Sequence, residues 1–344
     1  MLRLVSLILG PPVIVGFAYL IARPDFDRSL SASSGFETGS AVATVEIPDD
    51  GVRSAQPRVN GVPDAQLVEQ CQRTREALMR SLGVRFSSAV HAPFVIVGDT
   101  PQSDLNRLYR ETIAPTARAL AIAFFDRLPD RPISMVLLSG DESYQACALQ
   151  LDGQRRAAFA GYYERKDHRI VVNVATGKGT VAHELAHALG HVDFPEMPEW
   201  FDEGLASLHE DAQFSADHLR IIGRPNWRMR DLLPALKKGK LQSLEQLISG
   251  ARVRPDRQAV DYAHARFFCL FLQQRGLLEP FYRKFRSGVA NDPTGLRTME
   301  ALFGVSDLMS VDDEFRHWIQ ELDRKPPRKT ADSRMETPTA KDDQ

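Results

Sequence analysis

Residues 183–187 read His-Glu-Leu-Ala-His. On a helix, positions i and i+4 lie one turn apart on the same face. His183 and His187 can therefore offer two imidazole nitrogens to one divalent cation. Glu184 is turned from His183 by about 100°, which sets its carboxylate beside that cation, where a bound water would sit. These are the parts of a metal-assisted hydrolysis, in which the cation acidifies the water and the carboxylate takes its proton. Catalytic zinc sites keep one coordination position open and fill the rest from the protein, so a third donor is needed. Glu203, within Trp200-Phe201-Asp202-Glu203-Gly204-Leu205-Ala206, follows His187 by 16 positions. A turn through Pro195 and Pro198 would fold a second helix back on the first and deliver that carboxylate. The small Gly204 and Ala206 would let those two helices pack closely.

HELAH followed by Pro198, Trp200, Glu203-Gly204 and Ala206 resembles the gluzincin group of zinc metallopeptidases, and more narrowly the bacterial peptidase-MA-like domains. The likeness runs from about residue 93 to residue 322 and is sharpest over 161–210. It implies a zincin-like fold and a zinc-dependent peptidase acting on a peptide or protein substrate. It also implies one zinc ion held by His183, His187 and Glu203. Glu184 would be the general base and then the proton donor to the leaving amine. The strand Arg169–Val174 would be the edge that pairs with an extended substrate. The His187-to-Glu203 interval is slightly shorter than in thermolysin-like enzymes.

Residues 183–193 also read HExxHxxGxxD, with Gly190 and Asp193. That is similar to metzincin-type sites with aspartate as third ligand, although Met197 falls too soon for the methionine turn such sites need. Asp193 is thus open as a ligand, as a hydrogen-bond partner of an imidazole, or as a loop acid. Peptide hydrolysis also needs a donor to the tetrahedral oxyanion besides the metal. The related domains use a tyrosine at the start of a later helix, and the resemblance puts Tyr262, opening Tyr262-Ala263-His264-Ala265-Arg266, in that role. His264 is a weaker candidate for it, and Arg266 reads as a salt-bridge residue. His168, His191 and His209 read as surface or capping histidines, and Tyr162 and Tyr163 as core. Two other functions compete: a non-catalytic zincin-like binding module at the cell envelope, and a metallohydrolase of non-peptide amides. Glu184 speaks against the first, because a retired site has no use for a base.

The elements that must position these residues are legible in outline. A helix is expected over 64–82, with Leu67, Cys71, Leu78 and Leu82 on one face. Strands are expected at Pro93–Gly98, Ile133–Leu138, Ala157–Tyr163 and Arg169–Val174. Helices are expected at Asp104–Asp126, interrupted near Pro115, and at Glu142–Leu149. A turn with Gly177 and Gly179 precedes the motif, and Gly190 is expected to end its helix. After Gly179 the pattern is helical only, at 180–189, 198–211, 228–238, 258–275, 278–287 and 306–322. The expected fold class is α+β: a small mixed sheet with the HExxH helix, then a mostly helical C-terminal subdomain.

The composition sets limits. The chain has 344 residues, 43 Lys+Arg and 45 Asp+Glu, a formal charge of −2. That balance gives no basic surplus for a nucleic-acid partner. Three cysteines exclude a disulfide scaffold and an all-cysteine zinc module. Buried thiols are the default for Cys71, Cys147 and Cys269, with a Cys71–Cys147 pair as the alternative. Leu4–Ala22 carries no charge and lies between Arg3 and Arg23, which predicts a signal anchor or a signal peptide over 1–27. Either places the following domain outside the cytoplasm, membrane-anchored or secreted. Residues 28–60 read as a flexible tether, 61–324 as the metallopeptidase domain (61–190 α/β, 191–324 helical) and 325–344 as a disordered tail. The basic stretch Arg228–Lys240 reads as a solvated face.

Overall fold

The computed structural model describes residues 64–156, 160–250 and 257–324. The expected anchor, tether and tail lie outside these residues. The fold is mixed α+β. Helix α1 (Ala65–Leu82) leads into β1 (Ser87–His91) and β2 (Phe94–Gly98). Helix α2 (Gln102–Leu108), a π-helical turn (Tyr109–Ile113) and α3 (Ala114–Ala123) follow. The π turn lies just before Pro115, whose missing N–H weakens the ladder upstream. Then come β3 (Ile133–Leu138), α4 (Asp141–Asp152), β4 (Gly161–Glu164) and β5 (Arg169–Asn173).

The five strands form one sheet in the order β1-β2-β3-β5-β4. The pairs β2–β3 and β3–β5 are parallel, and the two outer pairs are antiparallel. The runs FVIVG, ISMVLL and RIVVN are apolar nearly throughout because both sheet faces are covered. Alternate side chains divide between two cores. Phe94, Ile96, Ile133, Met135, Leu137, Ile170 and Val172 face the larger core with α3 and the later helices. Val95, Val97, Val136, Leu138 and Val171 face a smaller core closed by α1 and α4. The α1 residues in that smaller core are the four expected from the sequence. Cys71 and Cys147 also lie there, and both are free thiols.

Strand β5 is interior, between β3 and β4, so the expectation that Arg169–Val174 forms an edge is corrected: the edge strand is β4. After β5 the chain builds α5 (Lys178–Asp193), α6 (Glu199–Leu208), β6 (Ala212–Phe214) and β7 (Ile221–Gly223). The β6–β7 hairpin corrects the expectation of helices only. Gly190 does not end its helix, since α5 continues to Asp193. Helices α7 (Met229–Lys237), α8 (Leu244–Ser249), α9 (Gln258–Gln274), α10 (Leu278–Gly288), α11 (Leu296–Phe303) and α12 (Met309–Arg324) complete the fold. The larger core is continuous from Phe94 to Ile319, and the boundary placed at residue 190 falls inside α5. Among the described residues no helix is long and apolar enough to cross a membrane.

Candidate metal centre

Helix α5 is preceded by Gly177, whose φ of +112° suits glycine and turns the chain out of the sheet. Two residues on, a Cβ at Gly179 would collide with the Glu210 carbonyl oxygen. The first turn of α5 is therefore pressed against the segment that follows α6. Helix α6 in turn packs on α9 at Gly204, where a Cβ would stand 2.8 Å from Cys269 Sγ and 2.9 Å from the Ala265 carbonyl oxygen. The small residue thus serves the α6–α9 contact rather than the approach of α6 to α5.

These two packings bring His183, His187 and Glu203 together. The two Nε2 atoms are 3.0 Å apart, and Glu203 Oε2 lies 3.7 Å from one and 3.8 Å from the other. The centre of such a triangle is about 2.1 Å from each corner, the Zn–N and Zn–O distance. Tyr262 donates to Glu203 Oε1 at 3.0 Å, while Oε2 is buried with no hydrogen-bond partner. A desolvated carboxylate oxygen facing two close ring nitrogens is what a bound cation would satisfy. The residues fit a zinc ion.

A carboxylate stands behind each ring. Asp202 Oδ1 is 2.8 Å from His187 Nδ1, and Asp202 Oδ2 is 2.9 Å from His191 Nε2. Glu210 Oε1 lies 3.2 Å from His183 Nδ1, a close charge contact that lacks hydrogen-bond alignment. An acid on Nδ1 fixes the ring and leaves Nε2 for the metal. His187, His191 and Asp202 also lie close enough to form a second trio of ligand atoms. Their spacings are those of hydrogen bonds, which makes Asp202 an orienting acid.

The electrostatics agree. Burial by itself would lower the His187 pKa, but Asp202, with Glu203 and Glu184, raises it to about 10. Burial by itself would raise that of Asp202, but His187 and then His191 hold it well below the usual carboxylate range. Glu184 is buried, and desolvation raises its pKa against the opposing pull of the two imidazoles. Glu210 is held down to about 2, because the hydrogen bonds from Arg228 and the nearby His183 ring outweigh its burial. Across from Glu184 stands the edge strand: a Cβ at Gly161 would lie 3.2 Å from Glu184 Cγ and 3.0 Å from Thr180 Cγ2.

Other expectations are resolved differently. Asp193 is fully buried and holds structure instead of metal. It accepts from the Asp126 and Arg127 backbone N–H groups at 3.0 and 2.7 Å, from Tyr282 Oη at 2.9 Å and from Arg286 Nη1 at 2.5 Å. Tyr262 does not open its helix; it lies one turn into α9, and its hydroxyl is engaged with Glu203. His264 is buried against Phe315, and burial lowers its pKa to about 3. His209 is buried rather than exposed and donates to the Leu205 carbonyl at 2.7 Å. Arg266 bonds backbone carbonyls of Ser207 and Arg224 rather than an acid near the centre.

Sequence reasoning did not find Asp202, Glu210 or Gly161. Glu210 carried a faint signal, since seven positions beyond Glu203 is about two helical turns; it lies just past the end of α6. The chain matches no protein-family model, and no curated protein matches it.

Proposed function

We propose that this chain is a zinc-dependent peptidase of the gluzincin type, with a zincin-like arrangement of α5 and α6 beside the sheet. The observation that carries this reading is the unpartnered Glu203 Oε2 facing the His183 and His187 Nε2 atoms, with Glu184 the next residue along α5. His183, His187 and Glu203 would hold the ion. When bound, zinc supplies Lewis-acid polarisation of the scissile carbonyl and a water of lowered pKa. Glu184 takes a proton from the attacking water and returns it to the leaving amine. Burial raises its pKa, which brings the group closer to the neutral range where one carboxyl can both accept and donate. Tyr262 keeps its proton, because burial and then Glu203 raise its pKa. That hydroxyl first orients the Glu203 carboxylate, and it stands as the donor to a developing oxyanion once it releases Oε1. The outer edge of β4 has no neighbouring strand among the described residues and suits backbone pairing with an extended peptide. The uncharged Leu4–Ala22 stretch supports a membrane-tethered or exported setting.

The test is Glu184→Gln in the purified chain. One zinc per chain is expected to remain, measured by elemental analysis, while cleavage of a peptide library disappears. Cleavage at the wild-type rate in the variant would sink the mechanism, and a wild-type chain without stoichiometric zinc would sink the reading.

A further inference from the structure

Arg228 stands outside the metal ligands, yet it touches the supports of two of them. Its Nε and Nη2 grip Glu210 at 2.8 Å (Oε2) and 2.5 Å (Oε1), both side chains being mostly buried. This is the planar two-point pairing that arginine forms with a carboxylate and lysine cannot. Asn226 Nδ2 adds a longer contact to Glu210 Oε2 at 3.4 Å. The gripped carboxylate faces His183 Nδ1 at 3.2 Å. The same guanidinium lies 5.8 Å from the ring centre of Tyr262, within cation–π range, and the Tyr262 hydroxyl holds Glu203. Trp227, 52% exposed, covers the guanidinium at 4.6 Å from its ring centre. One cation thus braces a nitrogen ligand through Glu210 and an oxygen ligand through Tyr262.

We infer that Arg228 is a positioning residue of the metal centre, setting the His183 ring through Glu210 and the Glu203 carboxylate through Tyr262. This rests on the zinc reading above. It has a consequence that simple fold support lacks: the loss appears in metal affinity. An acid behind a metal-bound histidine is worth about 10–100-fold in affinity, and Arg228 fixes the acid behind His183.

The experiment is zinc affinity of the full chain, by competition with a chromophoric chelator at a temperature well below unfolding. Circular dichroism of the metal-free proteins reports the folded fraction. Arg228→Met is expected to weaken zinc by about 10-fold or more. Arg228→Lys, which keeps the charge without the paired geometry, is expected to fall between Met and wild type. Glu210→Gln is expected to weaken zinc as well, and adding Arg228→Met to it should cost less than the product of the two single effects. Wild-type affinity in Arg228→Met overturns the inference alone, as do fully multiplicative effects of the Arg228 and Glu210 changes. If Arg228→Met does not fold, unchanged affinity in both Arg228→Lys and Glu210→Gln overturns it. A wild-type chain that binds no zinc overturns this inference and the peptidase reading together.

Discussion

Replacing Asp193 by alanine separates a ligand from a structural anchor. The carboxylate accepts from two backbone N–H groups, a tyrosine hydroxyl and a guanidinium, all reaching it in the interior. Alanine strands these donors at about 1–3 kcal/mol for each one left without a partner. Some relaxation is available, since Arg286 keeps its contact with Asp126. A net loss of roughly 4 kcal/mol is expected, near the figure for breaking a buried ion pair from one side. In a fold of this size that lowers the thermal midpoint by roughly 10 °C. Asp193→Asn should cost about half as much, because one acceptor oxygen survives for the backbone donors. The assay is urea unfolding of both variants, with zinc content measured on the folded protein at low temperature. Stoichiometric zinc with reduced stability is the expected result. Loss of zinc at near-wild-type stability would refute the reasoning and restore Asp193 as a ligand.

The same geometry sets four further outcomes. The proton on His187, with its pKa near 10, must leave before Nε2 can bind a cation. Zinc affinity should therefore rise by about tenfold per pH unit between roughly pH 6 and 8, with proton release seen as buffer-dependent heat in calorimetry; a flat profile would contradict the Asp202–His187 pairing. Gly204→Ala pushes a methyl into the Ala265 carbonyl and Cys269 Sγ, at a cost of about 1–3 kcal/mol. By displacing α6 it should also weaken zinc, which chelator competition would measure. Gly161→Ala places a methyl against Glu184 Cγ, so turnover is expected to fall several-fold with zinc content unchanged; unaltered peptide cleavage would count against Glu184 working beside β4. Asp202→Asn removes the charge shared by His187 and His191 and is expected to weaken zinc by about 10–100-fold, measured by the same competition.

The parts of the fold legible in sequence were those whose signal is local. FVIVG, ISMVLL and RIVVN announce strands buried on both faces, and the spacing of Leu67, Cys71, Leu78 and Leu82 announces one helical face. The i, i+4 histidines and the acid on a returning helix belong to the same class. What escaped depends on approach between distant segments. β1 carries few apolar residues and buries only its central Ala89, so its pattern is weak. The hairpin strands have three residues each, too few to show alternation. Glu210 and Arg228 gain their roles only because Gly179 lets the chain after α6 press on α5. Asp193 misled for a geometric reason. The helix runs straight through Gly190, and six further positions after His187 rotate a side chain by about 240°, away from the candidate metal centre and toward α10.

The connector between α5 and α6, residues 194–198, behaves as a spacer of fixed length. Phe194 packs edge-on against the rings of Tyr282 and Phe285 on α10, and the Pro195 carbonyl accepts from Arg165 at 2.7 Å. Beyond it, Trp200 is pinned to the Thr294 carbonyl at 3.1 Å. With both ends fastened, the connector has no slack for an inserted residue, which is expected to shift α6 and move Glu203 off its partners. Among the described residues, the tip of the hairpin at 215–220 has no such fastening to α5 or α6. Length variation among descendants of this chain should collect at that tip and spare the five residues of the spacer.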